Sequence, residues 1–143
     1  MTGRLGDIPA GPGWPHADTA DAMAMAMTSD STPTWVIAVD GVVIGDCGAF
    51  GWPDERGVVE IGYGLAEPFR GRGFATEAAA AVCTWLCTNA GATAITATSV
   101  RVDNCASRRV LEKLGFVEVE SDDRHVSYLL AGPESLESDP ACR

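Results

Sequence analysis

The sequence predicts a single α/β domain with a mixed, mostly antiparallel sheet flanked by helices, and three observations support this fold class. The chain has 143 residues, which is enough for one hydrophobic core and too few for two. Short β-branched runs bounded by turn residues predict strands in both halves of the chain. Runs with helical spacing of apolar residues lie between those strands. The predicted order is a helix, three strands, a helix, a strand, a helix and two strands, which is typical of an α/β domain.

The first half of the chain begins irregularly and continues into a hairpin. Residues 1–17 are rich in Gly and Pro and predict an irregular segment. Asp18 is a candidate N-cap for a helix over the Ala/Met-rich run that follows it. Two β-branched runs joined by Asp40 and Gly41 predict a hairpin over residues 34–51, because a type I′ turn prefers this dipeptide.

Helix signals in the second half come from apolar spacing and from capping residues. Apolar side chains recur at i, i+3, i+4 and i+7 from Ala78 to Leu86, and Gly91 ends that helix. A second helix begins at an Asn cap and ends at Gly115. The remaining predicted elements are strands at 58–65 and 94–100, the second helix at 104–115, a hairpin turning around 122–124, and a loose tail over 132–143.

The composition limits the classes of partner. A formal net charge of −10 argues against nucleic acid and anionic membrane surfaces, and it favours cationic partners such as amines. The five cysteines form no CxxC pair and no Cys/His cluster, so no metal site is predicted. Because the N-terminus lacks a signal-peptide pattern, we expect reduced thiols and a cytoplasmic location.

The stretch FRGRGFAT at 69–76 is a candidate phosphate site. It places two glycines and two arginines before a helix, and six of the ten basic residues lie within 70–113. Free backbone amides at a helix N-terminus attract anions, and glycines let a ligand approach closely. A dinucleotide-binding loop would have a third glycine where Thr76 stands, and a P-loop would end in GK[ST]. The alternative is that the glycines only form a tight strand-to-helix turn.

The neighbours of this loop resemble a known family. VEIGYGLAEPFRGRGFATEAAAAVCTWL is similar to the acetyl-coenzyme A signature of the GNAT superfamily, in the branch that includes the ribosomal-protein-alanine N-acetyltransferases. The signature pattern Arg/Gln-x-x-Gly-x-Gly/Ala is matched by Arg70, Gly73 and Ala75, and NCASRRVLEKLGFVEV resembles the second half of the family pattern. The resemblance covers about residues 34–130, and it implies one GNAT-like acyltransferase domain over 1–143 with a splayed parallel strand pair.

The resemblance also implies acetyl-CoA as co-substrate. The amides of residues 70–76 would cradle its pyrophosphate, and the pantetheine arm would lie between the splayed strands at 58–65 and 94–100. The amide after Tyr63 or Gly64 would polarise the thioester carbonyl. The implied cofactor-binding residues are Tyr63, Gly64, Leu65, Arg70, Gly71, Arg72, Gly73, Phe74, Ala75, Thr76, Asn104, Ser107 and Arg109, of which Asn104 is also a candidate helix cap and Arg109 is placed either at the 3′-phosphate or in solvent.

Acyl transfer to an amine needs a base for the amine and a proton for the leaving thiolate. Glu60 is the candidate base, because it is the only charge in an otherwise apolar strand; the alternative is an outward-facing residue in water. Many family members use a tyrosine on the last helix as the acid, and Leu111 occupies that place here. In the ribosomal-protein branch a serine is proposed instead, and Ser107 matches its position; the alternative is a helix-surface hydroxyl. Cys105 has no His near it in sequence, so direct transfer is preferred to a covalent intermediate.

The predicted acceptor is a primary amine, either a protein N-terminal amine or a small cationic compound such as an aminoglycoside-type antibiotic. Relative to the family, only the irregular residues 1–17 stand in place of an N-terminal strand and helix. We therefore expect an acceptor pocket that is open or completed by a second subunit of a homodimer. The rival functions are a non-catalytic acyl-CoA-binding module and a nucleotide-binding protein. Candidate pocket residues in loops or at strand ends are Trp14, His16, Trp52, Asp54 and Tyr128.

Overall fold

A computed structural model describes residues 32–132, which form a six-stranded sheet and two α-helices. The strands lie in the order β1-β2-β3-β4-β6-β5, and only the β3–β4 pair is parallel. The predicted mixed, mostly antiparallel sheet is confirmed, whereas the predictions for residues 1–31 and 133–143 lie outside the described residues. The elements are β1 (Thr34–Val39), β2 (Val42–Ala49), β3 (Val58–Leu65), a 3-10 turn (Glu67–Phe69), α1 (Phe74–Asn89), β4 (Ala94–Arg101), α2 (Cys105–Lys113), β5 (Val117–Ser121) and β6 (His125–Ala131).

The β1–β2 hairpin has the turn that the sequence predicts. Asp40 and Gly41 have φ values of 52° and 78°, and a type I′ turn requires positive φ at both central residues. Val39 pairs with Val42 directly beside the turn. Local sequence therefore sets the register beside the turn, and the register shifts farther along the strands, between Ile37 and Ala38.

Strands β3 and β4 separate after a short parallel contact. They pair only where Val58–Glu60 faces Ala94–Thr96. Beyond that point β3 continues beside β2, and β4 continues beside β6 with an irregularity between Ala97 and Val100. Within residues 32–132, the edge of β3 that faces β4 therefore has no strand partner over residues 61–65, and the predicted splayed pair is confirmed.

Both helices pack on one face of the sheet. Buried residues of α1, such as Leu86, belong to the same hydrophobic cluster as Leu111 of α2. Val59 and Ile61 of β3 belong to that cluster as well. Since side chains alternate along a strand, Glu60 projects from the opposite face. No helix among residues 32–132 is long and apolar enough to span a bilayer.

Two buried thiols should make the stability of the fold pH-dependent. Burial, with smaller effects of neighbouring groups, raises the pKa of both Cys47 and Cys83 from 9.0 to about 12. In the unfolded chain these thiols ionise at the lower value, so their contribution to folding is complete below about pH 9 and is lost between about pH 9 and 12.

We therefore expect the free energy of unfolding to fall above about pH 9, by up to about 1.4 kcal/mol per pH unit for each thiol. Urea unfolding from about pH 7.5 to about 10.5 measures this slope. Cys83→Ala should flatten it, whereas Cys105→Ala should not, because Cys105 is exposed. Identical slopes in the wild type and Cys83→Ala would contradict the assignment.

Candidate functional site

The loop between β3 and α1 presents free backbone amides. Gly71 and Gly73 have φ values of 77° and 85°, and Gly73 is the N-cap of α1 without a side-chain cap. The first amide of the helix to find an acceptor is that of Glu77, which donates to the Gly73 carbonyl at 3.0 Å. Within residues 32–132, the amides of residues 71–76 donate no hydrogen bond. Six consecutive donors and the positive end of the helix dipole therefore meet at this loop.

The side chains of the loop leave the space before it open. Arg70 folds back and donates from Nε to the Leu65 carbonyl at 3.0 Å, which ties the loop to the end of β3. The guanidinium of Arg72 lies 5.8 Å from the centre of the Phe69 ring. A Cβ at Gly71 or Gly73 would meet no atom within 4 Å, so these glycines serve the backbone conformation and not a tight fit. The loop can accept a bulky anion such as a pyrophosphate.

The unpaired edge of β3 offers donors and acceptors for an extended ligand. Backbone groups of alternate residues point to opposite sides of a strand. Gly64 therefore directs its amide to β2, while Ile61, Tyr63 and Leu65 direct theirs into the gap beside β4. Of the two amides predicted to polarise a carbonyl, alternation favours that of Leu65. Two hydrogen bonds on the β2 side show which residues of this segment face that strand. The Phe50 amide donates to the Glu60 carbonyl and the Ala66 amide donates to the Ile44 carbonyl, both at 2.8 Å, so the even-numbered residues face β2.

Glu60 lies half-buried on the sheet face opposite the helices. Its Oε1 accepts hydrogen bonds from the amide of Thr98, at 3.1 Å, and from the Thr98 hydroxyl. Within residues 32–132, Oε2 has no hydrogen-bond partner. The carboxylate is therefore held in place by β4 with one oxygen available, which fits neither a fully enclosed group nor a freely rotating surface residue.

A pair of hydroxyl groups joins β3 to the start of α2. Asn104 caps the helix, and its Oδ1 accepts from the Ser107 amide at 3.1 Å. The Ser107 Oγ lies 2.8 Å from the Tyr63 hydroxyl, which also lies 3.1 Å from the Ser107 carbonyl oxygen. Burial is the main reason that the pKa of Tyr63 is raised to about 12. Sequence reasoning placed Tyr63 at the cofactor site for its backbone and missed its side chain, although its alternation with Val59 and Ile61 indicates that it points towards the helices.

Other predicted site residues have different positions. Arg109 is exposed on α2. The prediction that Tyr128 lines an acceptor pocket is wrong, because Tyr128 is buried in β6 and its hydroxyl accepts from Arg108 Nε at 3.1 Å. Asp54 accepts two backbone hydrogen bonds in its own turn, which lower its pKa. Trp52 is half-exposed and its ring lies 6.3 Å from that of Trp85. Trp14 and His16 lie outside the described residues.

Leu111, at the place of the family tyrosine, is fully buried. Leu111→Tyr should therefore lower the free energy of unfolding by about 1–3 kcal/mol through overpacking, and it should not increase activity. Chemical unfolding beside the volume-conserving Leu111→Met tests the first point, and steady-state rates test the second. A stable Leu111→Tyr protein with a faster rate would show that this position faces the reacting groups.

Known proteins resemble this chain in sequence. Residues 7–117 match the family model of the acetyltransferase (GNAT) domain. The uncharacterized N-acetyltransferase YjdG of Bacillus subtilis (strain 168) is 31% identical over 113 residues, which are 73% of this chain and 67% of that protein.

Solved structures share its fold. A GNAT-family acetyltransferase from Bacillus anthracis has a TM-score of 0.66 at 18% identity, over 79% of this chain and 74% of that chain. RimJ of Mycobacterium smegmatis, solved in complex with CoA-disulfide, has a TM-score of 0.64 at 27% identity, over 82% of this chain and 61% of that chain. The mixed sheet with one parallel pair is therefore the fold of these acetyltransferases.

Proposed function

Because the chain belongs to the acetyltransferase (GNAT) family, an acetyl-CoA-dependent family of N-acyltransferases, we propose that it acetylates a primary, cationic amine by direct attack of the amine on acetyl-CoA. The observation that carries this proposal is the loop with six free amides beside the unpaired edge of β3. A phosphate group and an extended, amide-containing arm have complementary places in this arrangement.

The residues of the chain fit coenzyme A. The amides of residues 71–76, with Arg72 beside them, suit the pyrophosphate, and the gap along residues 61–65 suits the pantetheine arm. The Asn104 side chain uses its oxygen as a helix cap and keeps its amide nitrogen for a pantetheine carbonyl. Arg109 is exposed and available to the 3′-phosphate. When bound, acetyl-CoA supplies an activated acetyl thioester, and the Leu65 amide is the donor that would polarise its carbonyl.

The face that carries Glu60 suits the acceptor. A Cβ at Gly62 would lie 2.6 Å from the Phe50 ring, so the ring rests on Gly62, two positions along β3 from Glu60. Phe50 is 52% exposed. A carboxylate and an exposed aromatic face attract an ammonium group, and the net charge of −10 favours its approach. Glu60 would then take the proton of the bound amine, directly or through water.

Ser107 would donate a hydrogen bond to the departing sulfur. Ser107 and the leucine at position 111 resemble the ribosomal-protein-alanine branch, in which a serine is proposed as the acid, so a protein N-terminal amine is the alternative acceptor. We place the reaction in the cytoplasm, where the four described cysteines, all free, remain reduced.

A thiol-release assay with acetyl-CoA tests this function. One panel holds diamines, polyamines and aminoglycosides, a second holds peptides with N-terminal Ala or Ser, and neutral hydroxy compounds serve as controls. We expect release of CoA with the cationic amines and one acetyl group on each product by mass spectrometry. Release only with peptides would support the protein N-terminal acceptor. Calorimetric binding of acetyl-CoA without release in either panel would favour a non-catalytic acyl-CoA-binding module.

A further inference from the structure

The hydroxyl pair of Tyr63 and Ser107 lies where β3 has left β4. Tyr63 pairs with β2 but lies beyond the part of β3 that pairs with β4, and Ser107 belongs to the first turn of α2. The two residues are 44 positions apart in sequence, and their contact bridges the helix side of the gap. None of the residues of α2, Cys105–Lys113, is a tyrosine, so α2 itself brings no phenolic hydroxyl to this place.

The Tyr63 hydroxyl has one proton and two neighbouring acceptors, the carbonyl oxygen and Oγ of Ser107. The acceptor to which Tyr63 donates determines where the Ser107 proton points. When Tyr63 donates to the Ser107 carbonyl, 3.1 Å away, Ser107 Oγ can donate back to Tyr63, and its proton is occupied. When Tyr63 donates to Ser107 Oγ, 2.8 Å away, the serine proton is free to point elsewhere. In the second state the Ser107 carbonyl is not left without a hydrogen bond, because a carbonyl within an α-helix accepts from the backbone amide four residues later.

We propose that Tyr63 is a positioning residue whose hydroxyl donates to Ser107 Oγ and so directs the Ser107 proton to the departing sulfur of acetyl-CoA. This inference rests on the proposed function and on the role given there to Ser107. As negative charge develops on the sulfur, the state with two aligned donors becomes the favoured one, because each hydrogen bond polarises the next.

Burial keeps Tyr63 suited to this role. Burial raises the pKa of the Tyr63 hydroxyl to about 12, so the hydroxyl keeps its proton at neutral pH and can act as a donor. Tyr63 therefore acts through Ser107 and does not supply a proton to the sulfur itself.

Ionisation of the thiol of bound CoA tests this role without any acceptor amine. Thiolate absorbance of the protein–CoA complex is titrated in the wild type, Tyr63→Phe, Ser107→Ala and the double variant. We expect the pKa of the CoA thiol to be about one unit higher in each single variant than in the wild type. The double variant should show the same increase as each single variant and no more. Tyr128→Phe is the matched control, because it also removes a buried tyrosine hydroxyl bond, and it should titrate like the wild type.

Turnover supplies the second readout. Tyr63→Phe should lower kcat about tenfold with the KM for acetyl-CoA within about twofold, and it should have no further effect in the Ser107→Ala background. Equal thiol titration in all variants, or losses that multiply in the double variant, would overturn the inference even if the wild type acetylates amines. If the thiol pKa rises in the variants as expected but no amine causes release of CoA, the proposed function alone would be overturned. Failure of CoA to bind would overturn both.

Discussion

Gly73→Glu is expected to weaken acetyl-CoA binding more than about a hundredfold. The new carboxylate would stand among the free amides of residues 71–76, in the place suited to an anionic pyrophosphate. The positive φ of 85° adds a backbone cost of about 1–2 kcal/mol for any side chain. Calorimetric titration with acetyl-CoA measures the loss, and thermal unfolding of the same sample shows whether the fold survives.

Gly91→Glu is the matched control for this change. Gly91 also has a positive φ, of 74°, and open space around its Cβ, but it follows the other end of α1. Gly91→Glu therefore introduces the same charge with the same backbone cost, far from the free amides of residues 71–76. Gly73→Ala isolates the backbone cost at the loop itself. Equal weakening by both glutamates would mean that overall charge is responsible, and unchanged binding by Gly73→Glu would remove the phosphate from this loop.

Glu60→Gln should lower kcat by about a hundredfold to a thousandfold while acetyl-CoA binds as before. The amide has the shape of the carboxylate and can still accept from Thr98, but it cannot take a proton from the amine. Steady-state rates with the best acceptor and calorimetry with acetyl-CoA measure the two quantities separately. This pattern distinguishes a base from a residue that only supports the strand.

Two further variants delimit the result for Glu60. Glu120→Gln removes an exposed carboxylate from β5 and should leave kcat unchanged. Thr98→Val removes the hydroxyl donor to Glu60 and keeps the amide donor. It should therefore lower kcat by roughly tenfold or less. If Glu60→Gln retained most of the wild-type rate, the amine would be deprotonated elsewhere and Glu60 would only orient Thr98.

Local sequence was sufficient to predict most of the described fold. The Asp40-Gly41 turn, the Asn104 cap and the apolar spacing of α1 are properties of neighbouring residues, and their conformations need few distant contacts. The free amides of the loop before α1 were predictable for the same reason, because they belong to one continuous segment. The family resemblance then supplied the identity of the ligand.

Contacts between distant segments could not be predicted in this way. Tyr63 and Ser107 meet only because α2 crosses the sheet next to the gap, and no local pattern contains that distance. Tyr128 was misplaced for a related reason. Its sequence position near a strand end does not reveal that Arg108, which also donates to the Val102 carbonyl, reaches across to its hydroxyl in the core.

The irregularity in β4 restricts how the length of the chain can change. Between Ala97 and Val100, β4 advances by three residues while β6 advances by two, and Ser99 there has a φ of 57°. Deleting one residue would restore a regular ladder with β6 and move Thr98 away from Glu60. The extra residue of β4 thus helps to hold Thr98 against the carboxylate of Glu60. We expect insertions and deletions within residues 97–100 to disrupt the site, and those at the exposed hairpin tip of residues 122–124 to be tolerated.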